Sequence, residues 1–124
     1  MSRKPFLIKR IELKMPNYSG EADIYVTAYQ TDLSPAIMVC DVFQEPLYTA
    51  TSWIGHDGIK PAPRCAFIKD YSENRGILVE LIKHGLLEPT GKVVKTEFVQ
   101  FPEAKLLLTD AQWEEFDARF SKSN

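Results

Sequence analysis

Alternating apolar and polar positions at the start of the chain predict a β-hairpin. Ile11, Leu13 and Met15 lie at every second position of the segment 6–15, and the segment 23–30 repeats this spacing. A period of two places such residues on one face of a strand. A turn that contains proline, asparagine and glycine separates the two segments. We therefore expect them to pair as antiparallel strands.

Four further segments have the composition of strands. Residues 36–43 are almost continuously apolar, which is typical of a central strand that is buried on both faces. Residues 47–54 are rich in β-branched and aromatic side chains and should pair with it in antiparallel fashion. Residues 64–69 and 92–101 predict two more strands, and Pro102 should end the second of them.

A helical period within residues 70–85 predicts the first helix. Ser72 or Asn74 can cap its start, and Gly85 supplies the left-handed residue that commonly ends a helix. Glu80 should point away from the apolar face. Four residues at positions i, i+1, i+4 and i+5 form that face: Ile77, Leu78, Leu81 and Ile82.

A second helix is predicted at the C-terminal end. Residues 109–112 have the Thr-x-x-Gln spacing of a capping box, and Trp113, Phe116 and Phe120 follow at positions i, i+3 and i+7. Together the elements predict an α+β fold in which an antiparallel sheet of about five to six short strands packs against two helices. We expect one globular domain that spans residues 1–124.

Composition and charge narrow the class of protein. The 124 residues are 44% hydrophobic, which is sufficient for one core without stapling. The formal net charge of −2 does not favour a nucleic-acid partner. No apolar segment approaches the roughly 20 residues of a membrane span. Cys40 and Cys65 lie in apolar segments and are expected to be buried free thiols, so we expect a cytoplasmic protein.

Part of the chain resembles a known family. Four segments carry the resemblance: Tyr48-Thr49-Ala50-Thr51, Ala66-Phe67-Ile68-Lys69-Asp70, Leu86-Leu87-Glu88-Pro89-Thr90-Gly91 and Phe98-Val99-Gln100-Phe101-Pro102. In this order they resemble the DUF4313 family of small bacterial proteins. The resemblance implies a compact sheet-plus-helix protein that is often encoded near mobile elements. It carries over no catalytic residues.

The loop 55–63 contains the only candidate acid/base pair, His56 and Asp57. Asp57-Gly58 is also one of the strongest turn-forming dipeptides, because glycine accepts a positive φ and aspartate bonds to its own backbone. We favour the turn. The sequence predicts no catalytic residue, no metal ligands and no cofactor.

Large aromatic side chains are the other candidates for a site. Tyr48, Trp53, Tyr25 and Tyr29 would form a contact surface if they lay on the outer face of the sheet. Alternatively, the second helix covers this face and makes them part of the core. Tyr48, Trp53, His56 and Asp57 are therefore the predicted binding residues.

Two function classes remain. The first is a small cytosolic module that binds a protein partner, in the form of a mobile-element accessory factor or an inhibitor of a host-defence system. The second is a small enzyme or ligand-binding domain with a pocket near the loop 55–63. A concave pocket with converging polar groups would favour the second class, and a flat or convex apolar patch would favour the first.

Overall fold

The computed structural model describes residues 4–54 and 58–120, which form an α+β fold with two antiparallel sheets, two helices and one short 3₁₀ helix at Ser72–Asn74. The first sheet has the strand order β1-β2-β3-β4, and the second has the order β5-β6-β8-β7. The elements are β1 (Phe6–Met15), β2 (Tyr18–Ala28), β3 (Pro35–Asp41), β4 (Pro46–Thr49), β5 (Thr51–Ser52), β6 (Cys65–Ile68), α1 (Ile77–Lys83), β7 (Leu87–Lys95), β8 (Gln100–Leu106) and α2 (Asp110–Phe120).

The α+β class with two helices is confirmed, but the single sheet of five to six strands is wrong. The predicted strand 47–54 changes sheets at Ala50. The Ala50 N–H donates to the Ile37 carbonyl of the first sheet (2.9 Å), while the Ala50 carbonyl accepts from the Lys69 N–H beside the second sheet (2.8 Å). One continuous segment therefore supplies an edge strand to each of two sheets.

The predicted hairpin is confirmed. β1 and β2 pair from Phe6 opposite Val26 to Met15 opposite Tyr18, with a bulge at Ile8. Ile11, Leu13, Met15, Ile24 and Val26 are all buried.

The strand predicted at 92–101 is wrong in its bounds. Residues 87–95 and 100–106 form the hairpin of β7 and β8, whose turn is closed by the Thr96 N–H donating to the Val99 carbonyl (2.8 Å). Pro102 lies inside β8 and does not end a strand. It is tolerated because only β7 pairs with the strand at this point, through Val93, and the first residue of β8 that pairs with β6 is Glu103.

The start of α1 also differs from the prediction. Neither Ser72 nor Asn74 caps this helix, which begins at Ile77. The Asp70 carboxylate instead accepts the N–H groups of Gly76 and Leu78, at 3.0 and 3.1 Å. The Asn74 side chain is buried because it donates to the Thr49 carbonyl at the edge of β4 (2.7 Å). A contact distant in sequence thus overrides the local capping signal.

The end of α1 is confirmed. Gly85 has a φ of +73°. Behind it, the Leu86 N–H donates to the Leu81 carbonyl (2.9 Å) and the Gly85 N–H to the Ile82 carbonyl (3.0 Å). This pair of hydrogen bonds is the Schellman arrangement that satisfies the last carbonyls of a helix.

One main core receives side chains from both sheets and both helices. Within α1, Ile77 and Leu81 are fully buried, while Ile82 is 37% exposed. A smaller cluster of Ile54, Phe67 and Phe101 lies apart from this core and takes residues from the second sheet. Both cysteines are buried free thiols, as predicted. No helix in the described ranges has the length and apolarity needed to cross a membrane.

Candidate binding site

A cleft of about 510 Å³ lies between α2, the loop before β3 and the segment before β6. Most of its lining is apolar, with four charged side chains among the lining residues. The lining consists of Asp32, Leu33, Ser34, Pro35, Lys60, Pro61, Ala62, Pro63, Arg64, Trp113, Phe116 and Asp117. This size falls in the range of common binding pockets.

Two aromatic rings of α2 form one side of the cleft. Trp113 and Phe116 pack edge to face, with ring centroids 5.3 Å apart. The predicted capping box holds the start of this helix: the Gln112 N–H donates to the Thr109 hydroxyl oxygen (3.1 Å), and the Thr109 N–H donates to the Gln112 side-chain oxygen (2.9 Å). A locally encoded helix start therefore fixes the position of the aromatic side.

Arg64 lies against this aromatic side. Its guanidinium carbon is 4.9 Å from the centroid of the Trp113 ring, which is a cation–π distance. Arg64 has a φ of +63°, a left-handed conformation that is unfavourable for a residue with a Cβ. The Arg64 carbonyl accepts from the Leu106 N–H (2.9 Å), so that pairing with β8 supports this backbone conformation.

Asp32 is held in place by three donors. One carboxylate oxygen accepts from the Ser34 N–H (2.9 Å) and the Ser34 hydroxyl (2.7 Å), and the other accepts from the Trp53 indole N–H (3.2 Å). Burial alone would raise the pKa of Asp32. The hydrogen bonds from Ser34 and Trp53, helped by the charge of Lys60, outweigh burial and hold that pKa below its ordinary value. Asp32 is therefore a fixed negative charge.

A buried carboxylate anchors the proline-containing side of the cleft. Glu103, which is only 4% exposed, accepts from the Ala62 N–H (3.0 Å) and from the Thr90 hydroxyl (2.6 Å). Pro61 and Pro63 flank Ala62, and their rings restrict φ on both sides of the anchored residue. This side of the cleft is therefore fixed to the second sheet.

The structure places two of the predicted binding residues. Tyr48 is buried within the main core, and burial raises its pKa. Its prediction as a surface contact is corrected, because its ring belongs to the core. Trp53 is half-buried and contributes to the cleft indirectly, through its hydrogen bond to Asp32. His56 and Asp57 lie outside the described residues.

Sequence reasoning missed the residues that converge on the cleft. The helical period places Trp113 and Phe116 on one face of α2 but does not predict that these buried rings also line a cleft. The Asp-x-Ser spacing at 32–34 is the one local signal available, because aspartate commonly bonds to the backbone two residues on. No local signal connects Arg64 with Trp113, since 49 positions separate them.

Cys65 follows Arg64 but is not an activated thiol. Burial raises the pKa of this thiol, and the nearby Glu103 carboxylate raises it further. Within residues 4–54 and 58–120, no group of three histidine, cysteine or acidic side chains is placed to hold a metal ion.

Two exposed aromatic side chains lie outside the cleft. Phe43 is 83% exposed in the turn after β3, where the Asp41 carboxylate accepts from the N–H groups of Phe43 and Glu45. Phe98 is 87% exposed in the turn between β7 and β8, beside a shallower groove of about 420 Å³. Single exposed apolar residues are common on protein surfaces, so each is weaker evidence for a site than the cleft is.

Comparison of the chain with protein-family models, curated proteins and solved structures found no match. The resemblance to the DUF4313 family therefore stays a prediction.

Proposed function

We propose that this protein is a small interaction module that binds a segment of a partner protein in the cleft between α2 and residues 60–64. The observation that carries this proposal is the combination of an aromatic side, Trp113 and Phe116, with a side built from Pro61 and Pro63. Aromatic and proline-lined grooves suit extended peptide segments, because such segments present alternate side chains to apolar surface.

The cleft needs little rearrangement to accept a ligand. The Thr109–Gln112 capping box supports one side and the buried Glu103 carboxylate supports the other. Asp32 is fixed by hydrogen bonds from Ser34 and Trp53. A preformed site loses less conformational entropy on binding, which favours affinity for a short segment.

A small-molecule ligand is the second candidate, because the cleft volume also suits one. The cleft is lined by residues 60–63, which belong to the loop 55–63 near which the sequence predicts a pocket for an enzyme or ligand-binding domain. We favour a peptide segment because the described lining contains no cysteine thiol and no histidine that could act as a nucleophile or as its base. The narrower roles of mobile-element accessory factor or host-defence inhibitor stay predictions.

Selection from a phage-displayed library of random 12-residue peptides tests the proposal. We expect the wild-type protein to enrich a related set of peptides. An Ala62→Trp variant should lose their binding, because the new indole occupies the cleft while the backbone hydrogen bond to Glu103 can persist. The matched control is Val79→Trp, which adds the same ring to an exposed position on α1.

The melting temperatures of both variants must stay close to that of the wild type, so that a loss of binding cannot be explained by a loss of folding. Failure of the wild type to enrich any peptide would contradict the proposal. Equal binding of the selected peptides to wild type and Ala62→Trp would contradict it as well, because it would place their site outside the cleft.

A further inference from the structure

Resting on the proposed function, we infer that the bound segment carries a carboxylate beside an apolar residue, and that Arg64 binds the carboxylate with support from Lys60. The apolar residue then contacts the aromatic side of the cleft. This inference follows from how the four charged residues of the cleft are already used within the protein.

Arg64 is a cation with unused hydrogen-bond donors. It is exposed, and its guanidinium lies over the Trp113 ring. Within the described residues, none of its side-chain N–H groups donates a hydrogen bond and no carboxylate lies within ion-pair distance. A guanidinium presents paired donors that match the two oxygens of a carboxylate. Contact with the indole restricts the guanidinium before any ligand binds, which lowers the entropic cost of that pairing.

The two acidic residues of the cleft do not use this donor capacity. Asp32 already accepts three hydrogen bonds, from Ser34 and Trp53. Asp117 follows Trp113 by four positions on α2 and so lies next to it on the same helix face, yet it makes no ion pair with Arg64. The guanidinium is thus available to a carboxylate from outside the protein.

Lys60 adds a second positive charge. It lines the same cleft, and its charge acts on Asp32 without forming an ion pair with it. Asp117 has the opposite influence, because a negative charge on the aromatic side opposes an approaching carboxylate. Removal of Arg64 and removal of Asp117 should therefore change the affinity for an acidic segment in opposite directions.

The peptide selection described above supplies the probe, and isothermal titration of the most enriched peptide supplies the measurement. We expect the enriched set to share an aspartate or glutamate next to an aromatic, proline or aliphatic residue. Arg64→Gln should lower the affinity for the titrated peptide roughly tenfold to a hundredfold, as expected for loss of a charge-assisted hydrogen bond. Asp117→Asn should raise the affinity, by up to about fivefold, because it removes a charge that repels the carboxylate of the peptide.

The matched control is Arg75→Gln, which makes the same substitution at an exposed arginine outside the cleft and should leave affinity unchanged. A selected set without an acidic position would overturn the inference. The inference would also be overturned if Arg64→Gln bound the peptide as tightly as the wild type while Ala62→Trp abolished binding. In that case the proposed function would stand. If Ala62→Trp still binds the peptide, or if the selection enriches no peptide, the inference and the proposed function are both overturned.

Discussion

The two long edge strands, β1 and β7, are protected in different ways. Side chains of α1 and α2, and of His84 directly after α1, bond to the backbone along the free edge of β1 and to Lys4 just before it. The four contacts are Glu80 accepting from the Lys14 N–H (2.8 Å), His84 Nε2 with the Glu12 carbonyl (2.9 Å), Gln112 donating to the Ile8 carbonyl (3.1 Å) and Arg119 donating to the Lys4 carbonyl (3.0 Å).

β7 has no such cover. Within residues 4–54 and 58–120, no side chain of α1 or α2 bonds to its backbone, and most of the strand is exposed. The strand itself discourages pairing with another chain, since Pro89 lacks an N–H and Lys92 and Lys95 favour water. One edge is closed by tertiary contacts and the other is protected by composition.

The two edge strands differ in how far their stability depends on the helices. Unsatisfied backbone groups at an edge are costly only when water is kept away from them. On β1 the helix side chains replace the hydrogen bonds of water, and at Lys14 and Ile8 these bonds are partly buried. Loss of such a side chain should therefore lower the stability of the strand. On β7, replacement of an exposed side chain should change the free energy of unfolding little.

The largest effect should come from the residue that anchors α1 beside β1. Leu81→Ala should lower the free energy of unfolding by about 2–5 kcal/mol, because a fully buried leucine leaves a cavity. Ile82→Ala, one residue further and partly exposed, should cost about 1 kcal/mol or less. Urea unfolding followed by circular dichroism measures both. Similar midpoints for the two variants would mean that α1 is not anchored as described.

The next largest effect should come from Glu80, the buried carboxylate of α1 that bonds to the backbone of β1. Glu80→Ala should cost about 1–3 kcal/mol, because the Lys14 N–H loses its acceptor while remaining partly buried. Glu80→Gln keeps an acceptor oxygen and should cost less. The matched change on the open edge, Glu88→Ala, should stay within about 0.5 kcal/mol. Equal costs at positions 80 and 88 would remove the distinction between the two edges.

A smaller effect is expected at α2. Gln112→Ala removes the side chain that completes the capping box and that also donates to the Ile8 carbonyl, and should cost about 1 kcal/mol. Glu114→Ala, exposed on the same helix, is the control and should have almost no effect. Thermal unfolding of both variants is a sufficient measurement. A Gln112→Ala protein as stable as the control would show that α2 does not support the β1 edge.

The smallest effect concerns the side of β1 that faces β2. Arg10 donates two hydrogen bonds to the buried Asp23, at 2.6 and 3.0 Å, and these bonds hold the pKa of Asp23 below its ordinary value although burial opposes them. A lowered folded-state pKa stabilises the protein above the unfolded value of about 3.9, and this contribution is lost as pH falls through the folded value. Because Arg10 is half exposed, water weakens the pair.

The stability difference between wild type and Asp23→Asn should therefore be greatest near neutral pH and shrink below about pH 4. Urea midpoints measured at several pH values would reveal this convergence. A difference that stays constant down to about pH 2 would show that the charge of Asp23 contributes nothing.

The features that sequence predicted well all depend on near neighbours. The β1–β2 hairpin follows from alternating residues around one turn, the α2 start from Thr109 and Gln112, and the α1 end from Gly85. The cleft was not predicted. Of the two predicted binding residues that the structure describes, Tyr48 and Trp53, only Trp53 bonds to a residue that lines the cleft, Asp32.

The failures share one physical cause. The predicted strand 47–54 is interrupted at Ala50, because the backbone of Ala50 bonds to residues of two different sheets. Asn74 does not cap the helix, because its side chain donates to the Thr49 carbonyl instead. Glu80 was predicted to point away from the core, yet it is only 8% exposed because the Lys14 N–H lies opposite it. In each case a partner distant in sequence decides the outcome.

By itself, the sequence determined the α+β class, both helices, the first hairpin and the burial of the two cysteines, because periodicity and capping act over a few residues. Only the tertiary structure decided that there are two sheets, that Tyr48 belongs to the core and that Arg64 lies over Trp113. These outcomes depend on contacts between segments that are distant in sequence, and local sequence patterns do not specify which of those segments pack together.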